Sequence, residues 1–202
     1  PPFEVGSRLI LKAIDLGKKG SFAEAIPFLR TAEQVLGVGS NLAAYAACQL
    51  GHTFLLIGNY QQAQAEAQRI ETTYGPIMDP ETKAEFYRLQ LWLAYYLGNY
   101  LQSEHWLKAR IQLAEQTGIE RLSDPHFLGR TYYELGQLAP QKQAADVYFT
   151  KAVQCFEQSS QLNRKWGDEL NLAYDWFRKA QVLQTQGQSS DAKALRRQAG
   201  HV

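Results

Sequence analysis

The tripeptide Gly-Asn-Tyr occurs twice, at residues 58–60 and 98–100, and each copy follows a mostly apolar run. The two copies lie 40 residues apart, and glycines at similar intervals extend the pattern to both sides. These turn glycines are Gly20, Gly58, Gly98, Gly136 and Gly187, with intervals of 38, 40, 38 and 51 residues. Self-similarity with a period of roughly 20–50 residues indicates a repeat array. The chain is therefore expected to fold as five related units.

Each unit is predicted to be a helix, a tight turn and a second helix. Apolar residues recur at i, i+3, i+4 and i+7 on both sides of each glycine, which is the helical period. The predicted helix starts are Asp79-Pro80, Asp124-Pro125 and the capping box from Ser21 to Glu24, and the predicted helix ends are Gly37, Gly75 and Gly118. Sustained alternation of apolar and polar residues, the signal of strands, is absent. The sequence predicts an all-α fold.

Small residues are expected where helices pack closely. Gly51 and Gly129 stand seven residues before a turn glycine, and Ala63 stands five residues after one. The stretch LGHTFLLIGNYQQAQAEAQRI, residues 50–70, resembles a tetratricopeptide repeat, whose signature combines such small residues with an aromatic residue before the turn. The period exceeds the usual length and is similar to long-period units of bacterial signalling and regulatory proteins.

The resemblance implies that the units stack into a right-handed superhelix. It implies a single domain over residues 1–202, with units at about 5–37, 40–75, 80–118, 124–165 and 168–200. The chain opens on PPFEVGSR without methionine, which is compatible with a segment of a longer protein.

The charge balance and the apolar runs narrow the class of partner. Twenty-one basic residues nearly cancel 20 acidic ones, so no basic surface predicts nucleic-acid binding. No apolar run approaches the roughly 18 residues that suggest a membrane span, and no signal peptide is evident. We expect a cytoplasmic protein, or one of another soluble compartment. Cys48 and Cys155 lie in apolar helical contexts and are expected to be buried free thiols.

No motif for catalysis, cofactor or metal stands out. Cys48 and His52 lie four residues apart, but no further ligands complete a zinc site. The stretch LGKKGSF lacks the spacing of a phosphate-binding loop. Glu104 and His105 are sequence neighbours, which do not face each other on a helix. We therefore predict that the protein is not an enzyme and that it holds no cofactor or metal.

Aromatic and basic residues on the first helix of each unit form the candidate binding surface. In stacked repeats of this family the first helices line a concave groove. The predicted groove residues are Tyr45, His52, Arg88, Trp92, Tyr95, Tyr96, Arg130, Tyr133 and Tyr174. Tyrosine, tryptophan and arginine are the residues that dominate protein interfaces.

The resemblance and the groove together predict a non-enzymatic interaction module or scaffold that binds a peptide segment of a partner protein. Arg88 and Arg130 suggest a segment that mixes acidic and apolar residues. Ile10 and Ile14 occupy positions where a carboxylate-clamping cochaperone would need polar groups, which disfavours that role. Two alternatives stay open: a small-molecule-sensing superhelix of a bacterial signalling or regulatory protein, and a structural assembly factor or oligomerisation spacer, which would include a homo-oligomer.

Overall fold

The computed structural model describes residues 1–118 and 125–200, and these residues form helices joined by short turns. The helices are α1 Pro2–Lys18, α2 Phe22–Leu36, α3 Asn41–Leu56, α4 Tyr60–Tyr74, α5 Pro80–Tyr96, α6 Tyr100–Thr117, α7 Pro125–Leu138, α8 Lys142–Trp166, α9 Glu169–Thr185 and α10 Ser189–Ala199. A short 3-10 turn, Gly75–Ile77, follows α4. The described ranges contain no strand. The prediction of an all-α fold made of five helix-turn-helix pairs is confirmed.

The helices divide between two compact units. In unit 1, which comprises the described residues 1–118, successive helices from α1 to α6 pack on one another, and α3 also contacts α1 and α5. In unit 2, described over residues 125–200, α7 to α10 pack in the same sequential way, and α7 also contacts α9. Within each unit the odd-numbered helices are therefore neighbours, and we call them the first helices. The single-domain organisation and the superhelical course across all five pairs stay predictions.

The repeated tripeptide builds the same turn twice. Gly58 and Gly98 both have a φ of 76°. A positive φ of this size favours glycine, because a residue without a Cβ adopts it at no steric cost. The backbone N–H of Asn59 donates to the carbonyl of Phe54 at 2.8 Å, and that of Asn99 donates to the carbonyl of Ala94 at 2.8 Å. Each asparagine side chain then accepts the N–H of the residue three positions on and caps the second helix. Glycine ends one helix and asparagine starts the next.

Gly136 is not a turn glycine, and that prediction is wrong. Helix α7 continues through it to Leu138. A Cβ at Gly136 would lie 2.6 Å from the Phe149 ring of α8, so the position is glycine because an aromatic ring packs against the backbone there.

Gly129 has the same kind of role as predicted, with the Phe156 ring of α8 2.9 Å from its hypothetical Cβ. Gly51 packs against a first helix and not against the second helix of its own pair. The side chain of Leu89 on α5, the first helix of the next pair, fills the space beside it.

Most predicted helix boundaries agree with the structure. Asp79 caps α5 by accepting the N–H of Thr82 at 2.8 Å, and Gly37 and Gly118 end helices with positive φ. Gly75 also follows the end of a helix, but its φ of −45° leads into the 3-10 turn. Ser21 occupies the position before α2, yet its side chain makes no capping hydrogen bond. The predicted cap Asp124 lies outside the described residues.

The core of unit 1 is centred on α3. Ala43, Ala44, Ala46, Ala47 and Cys48 are all fully buried, because small side chains on most sides of α3 let the surrounding helices approach closely. Among the second helices, Glu33 of α2 receives both terminal nitrogens of Arg69 from α4, at 2.6 and 3.0 Å. A bidentate ion pair of this kind fixes the orientation of α2 relative to α4 and also holds the two helices together.

The last helix of unit 2 has a polar exposed side. Lys193, Arg196 and Arg197 of α10 are exposed, whereas Ala192 is buried. The helix therefore packs through Ala192 and the partly buried Leu195 and presents charges to water.

Candidate functional site

One side of the first helices of unit 1, which we call the first-helix face, carries polar residues followed along α5 by aromatic ones. Glu85, Arg88, Trp92 and Tyr96 follow one another at intervals of three or four residues on α5, so they share one side of that helix. The guanidinium of Arg88 pairs with the Glu85 carboxylate one turn earlier. The amide of Gln49 on α3 also donates to Glu85, at 3.2 Å.

A cavity of about 500 Å³ opens at the start of this stretch, between α3, α5 and α6. Its lining residues are Asn41, Leu42, Tyr45, Asp79, Glu81, Thr82, Glu85 and Arg110. Three carboxylates therefore face one guanidinium. Burial raises the pKa of the Tyr45 phenol, and the charge of Glu85 raises it further, so Tyr45 is an uncharged hydroxyl at neutral pH. The cavity is acidic, with one aromatic wall.

Behind the cavity, polar atoms of α3 and α5 lie buried without a partner. Nε2 of His52 and Nε of Arg88 make no hydrogen bond to any described residue, although both atoms are inaccessible to solvent. Burial lowers the pKa of His52 well below its ordinary value, and the positive charge of Arg88 lowers it further. His52 is therefore neutral at physiological pH. Burial raises the pKa of the Cys48 thiol to about 12, with the charge of Glu85 as a second cause.

Trp92 and four tyrosines form an aromatic cluster at the turn end of α5. The Tyr96 ring lies 5.4 Å from Trp92, 5.8 Å from Tyr95 and 5.9 Å from Tyr60, as measured between ring centroids. Tyr95 also meets Tyr100 edge to face at 5.3 Å. These distances are those of favourable ring pairs, which hold one another in fixed orientations.

The first helices of unit 2 are joined by a chain of hydrogen bonds. Arg178 of α9 donates to the Tyr174 hydroxyl at 2.7 Å and to the side-chain oxygen of Gln181 at 3.1 Å. The amide of Gln181 in turn donates to the hydroxyl of Tyr133 on α7, at 3.3 Å. Arg130 lies over the Phe127 ring, with 5.4 Å between the guanidinium carbon and the ring centroid.

Unit 2 also contains a buried acid that sequence reasoning missed. The carboxylate of Asp175 on α9 is fully buried, and its two oxygens lie 2.5 Å from Nδ1 of His126 and 2.7 Å from the amide of Asn163. Each contact joins α9 to another helix, α7 or α8. Asp175 lies three residues after Leu172, on the buried side of α9. This helical spacing is the sequence signal that could have predicted its burial.

Several of the predicted groove residues lie close to one another within their own unit, and a concave groove lined by them stays a prediction. Tyr45 lines the acidic cavity, His52 and Arg88 lie close behind it, and Trp92 leads into the aromatic cluster. In unit 2, Tyr133 and Tyr174 join one hydrogen-bonded chain through Arg178, a residue that the sequence analysis did not select. Arg178 stands four residues after Tyr174, so helical spacing could have identified it.

Arg88 is already paired with Glu85, and the cavity beside it is acidic. The expectation that Arg88 attracts a partner's carboxylate stays a prediction.

The described residues hold neither a cluster of metal ligands nor a membrane-spanning helix. Within residues 1–118 and 125–200, no three His, Cys, Asp or Glu side chains are grouped as a metal site requires. None of the helices described above has both the length and the hydropathy to cross a bilayer.

Several solved structures share the fold of this chain. A kinesin-light-chain-like protein of Podosopora anserina with nearly identical TPR-like repeats matches with a TM-score of 0.67 and 18% identity, over 99% of this chain and 94% of that chain. BtubC (BKLC) of P. vanneervenii matches with a TM-score of 0.66 and 16% identity, over 99% of this chain and 81% of that one.

A third match is a signal transduction ATPase with numerous domains from Pyrococcus horikoshii, which has a tetratricopeptide repeat sensor. Its TM-score is 0.73 at 14% identity, and the match covers 96% of this chain but only 28% of that one. No family model and no curated protein sequence matches the chain. The structural likenesses show a fold of the tetratricopeptide-repeat type, as the sequence predicted.

Proposed function

We propose that this protein is a non-enzymatic binding module that holds a segment of a partner protein against the first-helix face of unit 1. The observation that carries the proposal is the cavity of about 500 Å³ between α3, α5 and α6. Its volume lies within the roughly 300–1,000 Å³ of typical ligand sites. The cavity lies on the side that presents Arg88 and Trp92, so a ligand that fills it can continue along α5.

The lining favours a basic side chain in the cavity. Asp79, Glu81 and Glu85 outnumber the guanidinium of Arg110 and that of Arg88, which pairs with Glu85. An ammonium or guanidinium group of the ligand would meet carboxylate acceptors there, and Tyr45 would offer its ring face. This chemistry is an alternative to the acidic ligand expected from the sequence.

An apolar ligand residue is expected at Trp92. Seven residues of helix separate Glu85 from Trp92, a rise of about 10 Å. An extended chain covers that length in about three residues. The best ligand therefore carries a lysine or arginine and, about three positions away, a leucine or an aromatic residue.

Fluorescence anisotropy with labelled synthetic peptides tests the proposal. One set carries Lys or Arg three positions from Leu or Phe, and a matched set carries Asp or Glu instead. We expect the basic set to bind more tightly, and Trp92→Ala to weaken that binding by about 2 kcal/mol or more. Glu81→Gln should weaken it in a salt-dependent way.

Trp166→Ala is the matched control, because Trp166 is an exposed tryptophan on a second helix of unit 2. The proposal fails if the acidic set binds better, or if Trp92→Ala, shown by circular dichroism to be folded, binds the basic set like the unchanged protein.

The same cavity supports a second candidate, a sensor of a small molecule. Its volume suits a metabolite as well as a side chain, and the P. horikoshii protein uses tetratricopeptide repeats as a sensor. Native mass spectrometry of freshly purified protein separates the two candidates. A retained molecule whose mass adduct disappears in Glu81→Gln supports the sensor, and bare protein that binds the basic peptides supports the peptide module.

A further inference from the structure

The turn end of unit 1 presents an uncharged apolar surface that the proposed function does not use. We call it the turn edge and define it by five residues whose exposed fractions are 58% for Leu56, 41% for Ile57, 42% for Tyr96, 53% for Leu97 and 66% for Leu101. They belong to the turns of the second and third pairs. The stacking of Tyr60 on Tyr96, at 5.9 Å, places these two turns side by side.

Folding of the turn does not require these apolar residues. The turns at Gly20 and Gly187 have the same positive φ, 78° and 81°, and the same pair of backbone hydrogen bonds. At the two positions before the glycine, they carry Lys18 and Lys19 in one case, and Thr185 and Gln186 in the other. The same backbone therefore accepts polar residues where the turn edge has Leu56, Ile57, Tyr96 and Leu97, so the exposed apolar residues need another explanation.

The size and rigidity of the turn edge suit a protein contact. Five side chains that are about half exposed present a few hundred Å², roughly the size at which an apolar patch on a monomer is often functional. The aromatic cluster beneath it, which includes Trp92 and Tyr95, holds Tyr96 in place. Rigid apolar surface of this kind forms the centre of interfaces, and flanking residues would complete the approximately 800 Å² that each partner normally buries.

We propose that the turn edge joins two copies of this chain. Residues 53–65 and 89–103 contain no acidic, basic or histidine residue, so two turn edges can face each other without like-charge repulsion. The second-pair turn of each copy meets the third-pair turn of the other, and the same contact forms twice.

Sedimentation velocity of the 202-residue chain across the micromolar range tests this dimer. The informative variant is Ile57→Lys combined with Leu97→Lys, because both positions precede the turn glycine, where Lys19 is accepted in the first turn. We expect the unchanged protein to shift from monomer to dimer and the double variant to raise the dimer dissociation constant by about 100-fold or more. Gln186→Lys, the same change in the turn of the last pair, should leave dimerisation unchanged.

Two controls, added salt and a variant of the cavity, distinguish the dimer contact from the proposed peptide site. Added sodium chloride should not weaken the dimer, because an uncharged contact is not screened. Glu81→Gln should dimerise like the unchanged protein, which separates this proposal from the peptide site. A chain that stays monomeric at every concentration overturns the proposal, as does a folded double variant that dimerises normally or a dimer that salt dissociates.

Discussion

Leu89 of α5 packs over the backbone of Gly51 on α3, so closely that a Cβ on the glycine would lie 2.5 Å from Cδ2 of Leu89. The two residues belong to the first helices of neighbouring pairs, and both are buried. The absence of one methyl group therefore sets how closely the second and third pairs of unit 1 stack.

Gly51→Leu should overpack this contact and lower the free energy of unfolding by about 1–3 kcal/mol, because neither helix backbone can yield freely. Urea denaturation followed by circular dichroism measures the change. Gly39→Ala is the control, since nothing lies within 4 Å of a Cβ placed there, and it should stay within about 0.5 kcal/mol of the unchanged protein. Equal stability for Gly51→Leu would contradict the packing described.

Asn59→Ala should destabilise unit 1 by about 1 kcal/mol through loss of a helix cap. The Asn59 side chain accepts the N–H of Gln62 at 3.2 Å, and alanine leaves that donor without its protein acceptor. Ser21→Ala provides the comparison, because Ser21 stands at the equivalent position but makes no capping bond. In thermal melts, Asn59→Ala should lower the melting temperature more than Ser21→Ala does. Similar decreases for the two variants would show that the capping hydrogen bond contributes little.

Asp175→Ala should be among the most damaging single changes in unit 2. The substitution leaves the buried amide of Asn163 and the ring of His126 without their common acceptor. Breaking a buried charged contact from one side typically costs about 3–5 kcal/mol. Chemical denaturation measures it, with Asp146→Ala, an exposed aspartate of α8, as the control. A loss no larger than that of the control would mean that water replaces the lost contacts.

His52 should make the protein less stable as the pH falls. Its pKa in the folded chain is lowered by burial and by the nearby charge of Arg88, whereas the unfolded chain has the ordinary value of about 6.5. The unfolded state therefore binds a proton first, and stability declines as the pH drops through that ordinary value. The difference between the melting temperatures at neutral and at mildly acidic pH should be smaller in His52→Gln than in the unchanged protein. His105→Gln, at an exposed position, should keep the original pH dependence.

The two cysteines should be unreactive in the folded protein. Burial raises the pKa of Cys48 and of Cys155 to about 12, and the thiolate is the reactive form. A chromogenic disulfide reagent at mildly alkaline pH should modify neither residue until denaturant is added, after which both should react. Fast modification of Cys48 in the native protein would show that α3 opens locally.

Local signals in the sequence were enough for the helices and most turns. Gly58 and Asn59 specify a helix end and a helix start within two adjacent residues, because one tolerates positive φ and the other supplies a cap. Asp79 followed by proline acts in the same local way. Such signals need no knowledge of the rest of the chain, which is why five helix pairs were predictable from spacing alone.

Gly136 shows where local reasoning fails. Its interval from Gly98 matches the other turn glycines, yet the ring of Phe149 packs against it inside α7. A glycine needed for a turn and a glycine needed for close packing look identical in sequence, since both are selected for the missing side chain. Only the position of the partner helix distinguishes them.

The sequence by itself determined the helical class and the pairing of helices, because these follow from periodicity and from turn chemistry. Tertiary structure decided the electrostatics of the first-helix face. Arg88 looked like a free cation, but Glu85 pairs with it and the neighbouring cavity is acidic. Asp175 was not among the predicted site residues, yet it is buried between His126 and Asn163. Charge and burial depend on which side chains converge from separate helices, and that convergence exists only once the helices have packed.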